Sequence, residues 1–395
     1  MDDSAAQAPV ERQSKSSRQK RTLIGACLAH ALHDGYTDQL YALLPVWQSQ
    51  FGLSYAGLAI VRAIYYGTMG GLQIGADRIG SKFPPRVALA LSTAIAAAGY
   101  LIVCLPFGFV GLCVGLFIAG LGSSVQHPRA SSVVTATYSG ADHRGPLGIY
   151  NFAGDLGKAA FPAAVALLLP TIGWRLAVGL TSVVGFLVVV ALWFLLPAQM
   201  STASIKDAGS GGGSPGRGFN WLLAIGTFDT ATRMGYLLFL PFLVRSRGGQ
   251  DATIGIALAM LFIGGALGKA CCGWIGQRVG VIWTVTLTET ATAALILISL
   301  VLPLRGMFVV LPLLGIFLNG TSSVLYGTVP DLARGGDIGR AFALFYTAVI
   351  GAGGLAPIAY GFLADHSNTT VGVIAASLTA AAIVPMALRL RAFLH

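Results

Sequence analysis

Of the 395 residues, 55% are hydrophobic and only 10% are charged, where an average soluble domain carries about 25% charged residues. That balance excludes a soluble globule, and long apolar runs in place of short alternating strands set aside an outer-membrane barrel. A formal net charge of +10 would suit nucleic acid, but most Lys and Arg fall in short loops and tails, where they orient membrane helices.

The chain opens with a polar stretch, 1–21, read as a disordered cytoplasmic tail with no cleavage pattern behind it. Twelve membrane-spanning helices follow, at roughly 22–47, 54–77, 86–105, 108–137, 145–170, 173–196, 219–244, 252–276, 281–302, 306–330, 340–364 and 369–392. The Gly/Ser-rich segment 198–218 is the longest polar break and reads as a cytoplasmic linker. It separates an N-terminal bundle, 22–197, from a C-terminal bundle, 219–395. With the N-terminus inside, sixteen Lys and Arg are cytoplasmic, four lie on the opposite face and five fall within helices. Both termini are therefore expected in the cytoplasm. The 52 glycines suit close helix packing, and the five cysteines, all in apolar segments, suggest no disulfide framework.

The halves repeat each other. "QIGADRIG" at 73–80 aligns with "GWIGQRVG" at 273–280, and "GSSV" at 122–125 aligns with "TSSV" at 321–324, at offsets of 200 and 199. Two homologous six-helix halves with a site between them describe a transporter.

Ionisable residues inside an apolar span cost roughly 3 kcal/mol each, so they face a partner or a water-filled cavity. In the first helix His30, Asp34 and Asp38 are spaced four apart and form one polar stripe, the candidate proton-coupling site. His33, His127, Arg129, Asp155, Lys158, Asp229 and Arg233 are candidate substrate contacts. Asp155 with Lys158, and Asp229 with Arg233, have the spacing of same-helix ion pairs. Arg129 is then left as a cation beside Asp34, ready for an anion once Asp34 is protonated. Arg62, Lys269 and Glu289 lie further from mid-helix and read as gate or packing residues. The sequence carries no Walker motif, no HExxH and no paired CxxC, so it gives no basis for an enzyme, a cofactor or a metal centre.

The loop "ADRIGSK" resembles the signature of the major facilitator superfamily. Gln73 replaces its usual glycine, and in the second copy Gln277 replaces the acid. "LAHALHDG", "LLPVWQSQFGLS", "GLGSSVQHP", "GDLGKAAFP" and "GAGGLAP…GFLADHS" resemble the fosmidomycin-resistance-type efflux proteins within it. Arg129 stands where that family commonly has an acid, and His33 where an amide is expected. The resemblance implies an all-α membrane protein of two pseudo-symmetric six-helix bundles. It also implies proton-driven export of a small compound across the bacterial inner membrane. Basic intramembrane residues favour an anionic one. Asp77, Arg78, Gly80 and Arg340 would form the cytoplasmic gate, with Asp77 facing the N-terminal end of the eleventh helix. The expected partners are substrate, protons and lipid, with no nucleic acid and the protein a monomer. The alternatives are an importer or uniporter of a sugar or organic acid, and a sensor that does not transport.

Overall fold

The computed structural model describes residues 4–138, 144–198, 216–333 and 338–394. The linker expected at 198–218 lies almost wholly outside the described residues, as does the side chain of Asp77. The helices are α1 (Ser4–Phe51), α2 (Tyr55–Gly71), α3 (Gln73–Gly80), α4 (Pro85–Cys104), α5 (Gly108–Ser123), α6 (Gln126–Thr137) and α7 (Arg144–Leu195) in the first half. In the second half they are α8 (Arg217–Ser246), α9 (Asp251–Val279), α10 (Val281–Val301), α11 (Leu304–Thr328), α12 (Ile338–Asp365) and α13 (Thr369–Leu390).

Each of the twelve expected spans has its helix. Two are interrupted and two are joined, in ways the sequence explains. α2 breaks at Leu72, after Gly70 and Gly71. α5 gives way to α6 at Ser124 and Val125. Pro128, three residues on, has no N–H to continue the ladder from α5. The long α7 is two spans joined at Gly173, whose φ of 72° suits glycine.

Eight helical stretches among the described residues are long and apolar enough to cross a membrane on composition alone, one of them being the doubled α7. The other spans, α1, α2–α3 and α8, include the two with the buried polar residues His30, His33, Asp34, Asp38 and Asp229. Part of the site, the α1 stripe and Asp229, therefore sits on helices that hydropathy alone does not detect. Large apolar side chains cover the outer surface, such as Leu187, Val301 and Val309, which suits lipid and not water.

α1 begins at Ser4 and runs without a break into the membrane span. The stretch has no glycine before Gly25 and is rich in Arg, Gln and Lys. Such residues let a helix nucleated in the span continue outward. Gln19 ties it to the bundle by donating to the Thr137 carbonyl at 3.0 Å.

The two halves meet unequally. At the end of the bundle that carries the termini, each half has its own apolar core. One contains Ala26, Leu89, Val133 and Leu192, and the other Leu222, Val324, Phe345 and Leu390. Toward the far end a single core joins the halves, with Trp47, Leu58 and Val165 from one and Phe239, Leu243 and Leu261 from the other. Polar contacts close that far end as well. The Asp365 carboxylate, at the end of α12, accepts the N–H groups of Tyr55 (2.8 Å) and Ala56 (2.9 Å) at the start of α2. Two of the donors that open a helix N-terminus are thus satisfied by the other half of the molecule. Thr369 donates to the Tyr55 hydroxyl at 2.9 Å, and Arg245 to the Pro45 carbonyl at 3.3 Å.

Candidate functional site

The polar stripe of α1 meets α6, α7 and α9 in one buried cluster. Asp34 is 6% exposed, and three cationic or titratable groups converge on it. His30 Nε2 lies at 3.3 Å, His127 Nε2 at 3.5 Å and Lys158 Nζ at 3.2 Å. His30 is held firmly. Its ring stacks on Tyr150 at 4.0 Å between centroids, and its Nδ1 sits 2.8 Å from the Tyr150 carbonyl. A carbonyl only accepts, so Nδ1 carries a hydrogen. A hydrogen bond between Nε2 and Asp34 therefore needs a further proton, either on Nε2, which then donates, or on the acid, which then donates to Nε2. Gln126 donates to the Tyr150 hydroxyl at 3.3 Å and steadies the platform.

Small residues make this convergence sterically feasible. A Cβ at Gly154 would lie 2.7 Å from both Asp34 Oδ2 and His30 Cε1, and one at Gly157 only 1.9 Å from the Ala31 carbonyl oxygen. α1 and α7 can approach this closely because these positions carry no side chain.

The same-helix pairing expected of Asp155 and Lys158 is not the main contact. Their separation is 3.9 Å, whereas Lys158 is 3.2 Å from Asp34. Asp155 instead takes Lys269, from α9 of the other half, at 2.5 Å. The second expected pair also differs. Among the described residues Asp229 and Arg233 make no ion pair within 4.0 Å; Arg233 Nη2 donates weakly to Thr230 at 3.4 Å. Asp229 is buried within electrostatic reach of a second acid, Glu289 of α10. Glu289 is 1% exposed.

Two further candidates move. His33 does not line the cluster. It is fully buried between Ser123 Oγ (2.9 Å from Nδ1) and Thr93 Oγ1 (3.1 Å from Nε2). Two hydroxyls, each able to give or take, suit a neutral imidazole that packs α1 against α4 and α5. Arg129 does not stand beside Asp34. Its guanidinium packs against Gly80 of α3, where an added Cβ would lie 3.5 Å from Nε. Among the described residues Arg129 and Asp34 make no ion pair within 4.0 Å. Gly80 is where α3 rests on α6; Arg78 and Arg340 are exposed.

Asp38 is 5% exposed and has no ion-pair partner within 4.0 Å among the described residues. Arg62, 1% exposed, spans the two halves. It donates to the Gly353 carbonyl at 3.2 Å, touches Met234 sulfur at 3.2 Å, and lies over the rings of Tyr41 and Tyr66 at 4.6 and 4.8 Å. These π-faces offset the burial of its charge.

His30, Asp34 and His127 offer donor atoms within 4.8 Å of one another, a spacing that a metal ion could span. The Lys158 ammonium already supplies a cation to the same carboxylate, so the trio is an ion-pair cluster. Sequence spacing revealed the α1 stripe. It missed Lys269 and Glu289 because their partners lie 114 and 60 residues away, in other helices. A lone ionisable residue within an apolar run was the available signal in both cases.

The sequence profile described as Major Facilitator Superfamily matches residues 24–218. The "Fosmidomycin resistance protein" of Escherichia coli (strain K12) is 24% identical over 381 residues, covering 91% of each chain. The "Uncharacterized MFS-type transporter YfnC" of Bacillus subtilis (strain 168) is 27% identical over 379 residues, covering 89% of this chain and 88% of its own. In fold, the chain is similar to the crystal structure of a POT family transporter in complex with thioalcohol conjugated peptide. That match has a TM-score of 0.77 at 14% identity and covers 94% of this chain and 96% of the other.

Proposed function

We propose that this chain, a major facilitator superfamily transporter, exports a small compound in exchange for protons, with Asp34 as the group for which both compete. The observation that carries the reading is the convergence of His30, His127 and Lys158 on one buried carboxylate. A site of this kind can lose its proton without leaving a bare charge, because Lys158 takes its place. The similarity to a protein named for fosmidomycin resistance supports the outward direction.

The sign of the coupling restricts the substrate. Protons that enter can drive export only if proton and substrate exclude each other. An anion held solely by cations around a protonated Asp34 would bind together with the proton, and the two would travel the same way. An exported substrate must instead use the ionised carboxylate, through an N–H, O–H or cationic donor. A compound with such a donor at one end and an acidic group at the other fits. The donor meets Asp34, and the acidic end meets Arg62 and Arg233. His127 and Lys158 border the donor end, and Asp38 and Asp229 set the negative limits of the space between.

The test is transport in proteoliposomes with an imposed pH gradient, across a panel of anionic, zwitterionic and cationic compounds. Zwitterionic or donor-bearing substrates should accumulate against their gradient while protons move oppositely. Transport that only equilibrates, unchanged when the gradient is collapsed, would establish a uniporter.

The reading also places both termini in the cytoplasm of a bacterium and assigns Asp77, Arg78, Gly80 and Arg340 to closure of that side. Asp77→Asn should shift the population toward the state open at the termini by about fivefold. Labelling of single cysteines on that face, in a background free of native cysteines, measures the shift. Unaltered labelling would leave Asp77 an ordinary loop charge.

A further inference from the structure

A carrier that exchanges a proton for a substrate must not reorient when it holds neither. Any such movement lets substrate leak downhill and wastes the gradient. We infer that Lys158, Asp155 and Lys269 form the lock that keeps the empty, ionised carrier still, with Lys269 as the bolt between the two halves. The inference rests on the assignment of Asp34 as the shared site.

The geometry gives the lock a switch. Lys158 lies between two carboxylates, 3.2 Å from Asp34 and 3.9 Å from Asp155. Asp155 in turn holds Lys269 at 2.5 Å. Lys158 and Asp155 are on α7 of the first half, and Lys269 is on α9 of the second. While Asp34 is ionised, it holds Lys158, and Asp155 is left to Lys269. The bridge between the halves is then at full strength. When a proton or a substrate donor occupies Asp34, Lys158 loses its nearer partner. A side-chain rotation of Lys158 carries the ammonium to Asp155, one helical turn away. It then competes with Lys269 for a single carboxylate, and the bridge weakens. Both legitimate loads therefore release the same bolt.

The charges that surround this relay favour the switch. On the side of Lys158 stand Asp34, Asp38, Asp155 and the cations Arg233 and Lys269. Around Asp34 stand His30, His127 and the buried, hydroxyl-bonded His33. Asp155 is 7% exposed, so water replaces a lost partner poorly there. Lys158 and Lys269 are more open, with side chains 29% and 33% exposed, and have room to move.

The experiment compares full-length wild type with Lys269→Met and Lys269→Arg in proteoliposomes. Three readings are taken: accumulation driven by a pH gradient, substrate exchange at equal pH, and the distance between spin labels on α3 and α12 as pH is varied. Lys269→Met should lose accumulation by about tenfold, keep exchange, and show a distance distribution that no longer follows pH. Lys269→Arg should restore all three. Should Lys269→Met fail to fold, Lys269→Gln serves in its place. Accumulation and pH-dependent distances preserved in the charge-free variant would overturn the lock. A wild type that shows no gradient-driven accumulation would overturn the assignment of Asp34 instead, so the two failures are separable.

Discussion

Asp34→Asn should abolish accumulation driven by a pH gradient, a fall of roughly a hundredfold to background, while downhill flux of the same substrate persists. Asn has the size and shape of the protonated acid, so it preserves the contact with His30 and the close packing at Gly154. It removes the exchangeable proton and the charge that holds Lys158 at 3.2 Å. The variant is therefore a permanent imitation of one state of the cycle. Its carbonyl oxygen still accepts a hydrogen bond from a substrate donor, which is why exchange survives at reduced affinity. The measurement is paired, with uptake against a gradient and efflux down one in the same vesicles. Gradient-driven uptake at the wild-type level would remove Asp34 from the coupling scheme.

The second large effect concerns assembly. Gly157→Val should sharply lower the yield of monodisperse protein in detergent, because the added Cβ would sit 1.9 Å from the Ala31 carbonyl oxygen. The obstacle is backbone, which cannot rotate away, so α1 and α7 must separate by an ångström or more. Overpacking of this kind costs about 3 kcal/mol or more. The damage also reaches the site, since α1 carries His30 and Asp34 and α7 carries Tyr150, Asp155 and Lys158. Gly67→Ala is the control, with nothing within 4 Å of its added carbon. Size-exclusion profiles of the two variants, side by side, decide the matter. A normal profile for Gly157→Val would mean that the two helices have slack at this crossing.

The spans were legible because lipid demands long apolar helices, and the α1 stripe because a four-residue spacing fixes a helical face whatever the surroundings. The breaks at Leu72 and Gly173 were also foreshadowed by glycine-rich or Pro–Gly stretches. What could not be read was partnership across helices. Asp155 and Lys158 have the right spacing for each other, yet a nearer carboxylate claims the lysine and a lysine from the other half claims the aspartate. Spacing constrains neighbours on one helix and is silent about the helix opposite. The same blindness put Arg129 beside Asp34. Its Nε lies instead against Gly80 of α3.

The unequal cores of the two ends make temperature a control on the cycle. Opening the far end must bring water to Trp47, Phe239, Leu243 and their neighbours, which now form one shared core. Opening the end with the termini exposes little that is not already split between two separate clusters. Hydration of apolar surface raises the heat capacity, and the penalty for it shrinks on cooling. The two reorientations therefore differ in heat capacity as well as in energy. Cooling favours the state that is wet at the far end, and warming favours the state described here. The balance between the two faces of the carrier drifts with temperature even when no ligand and no gradient is present.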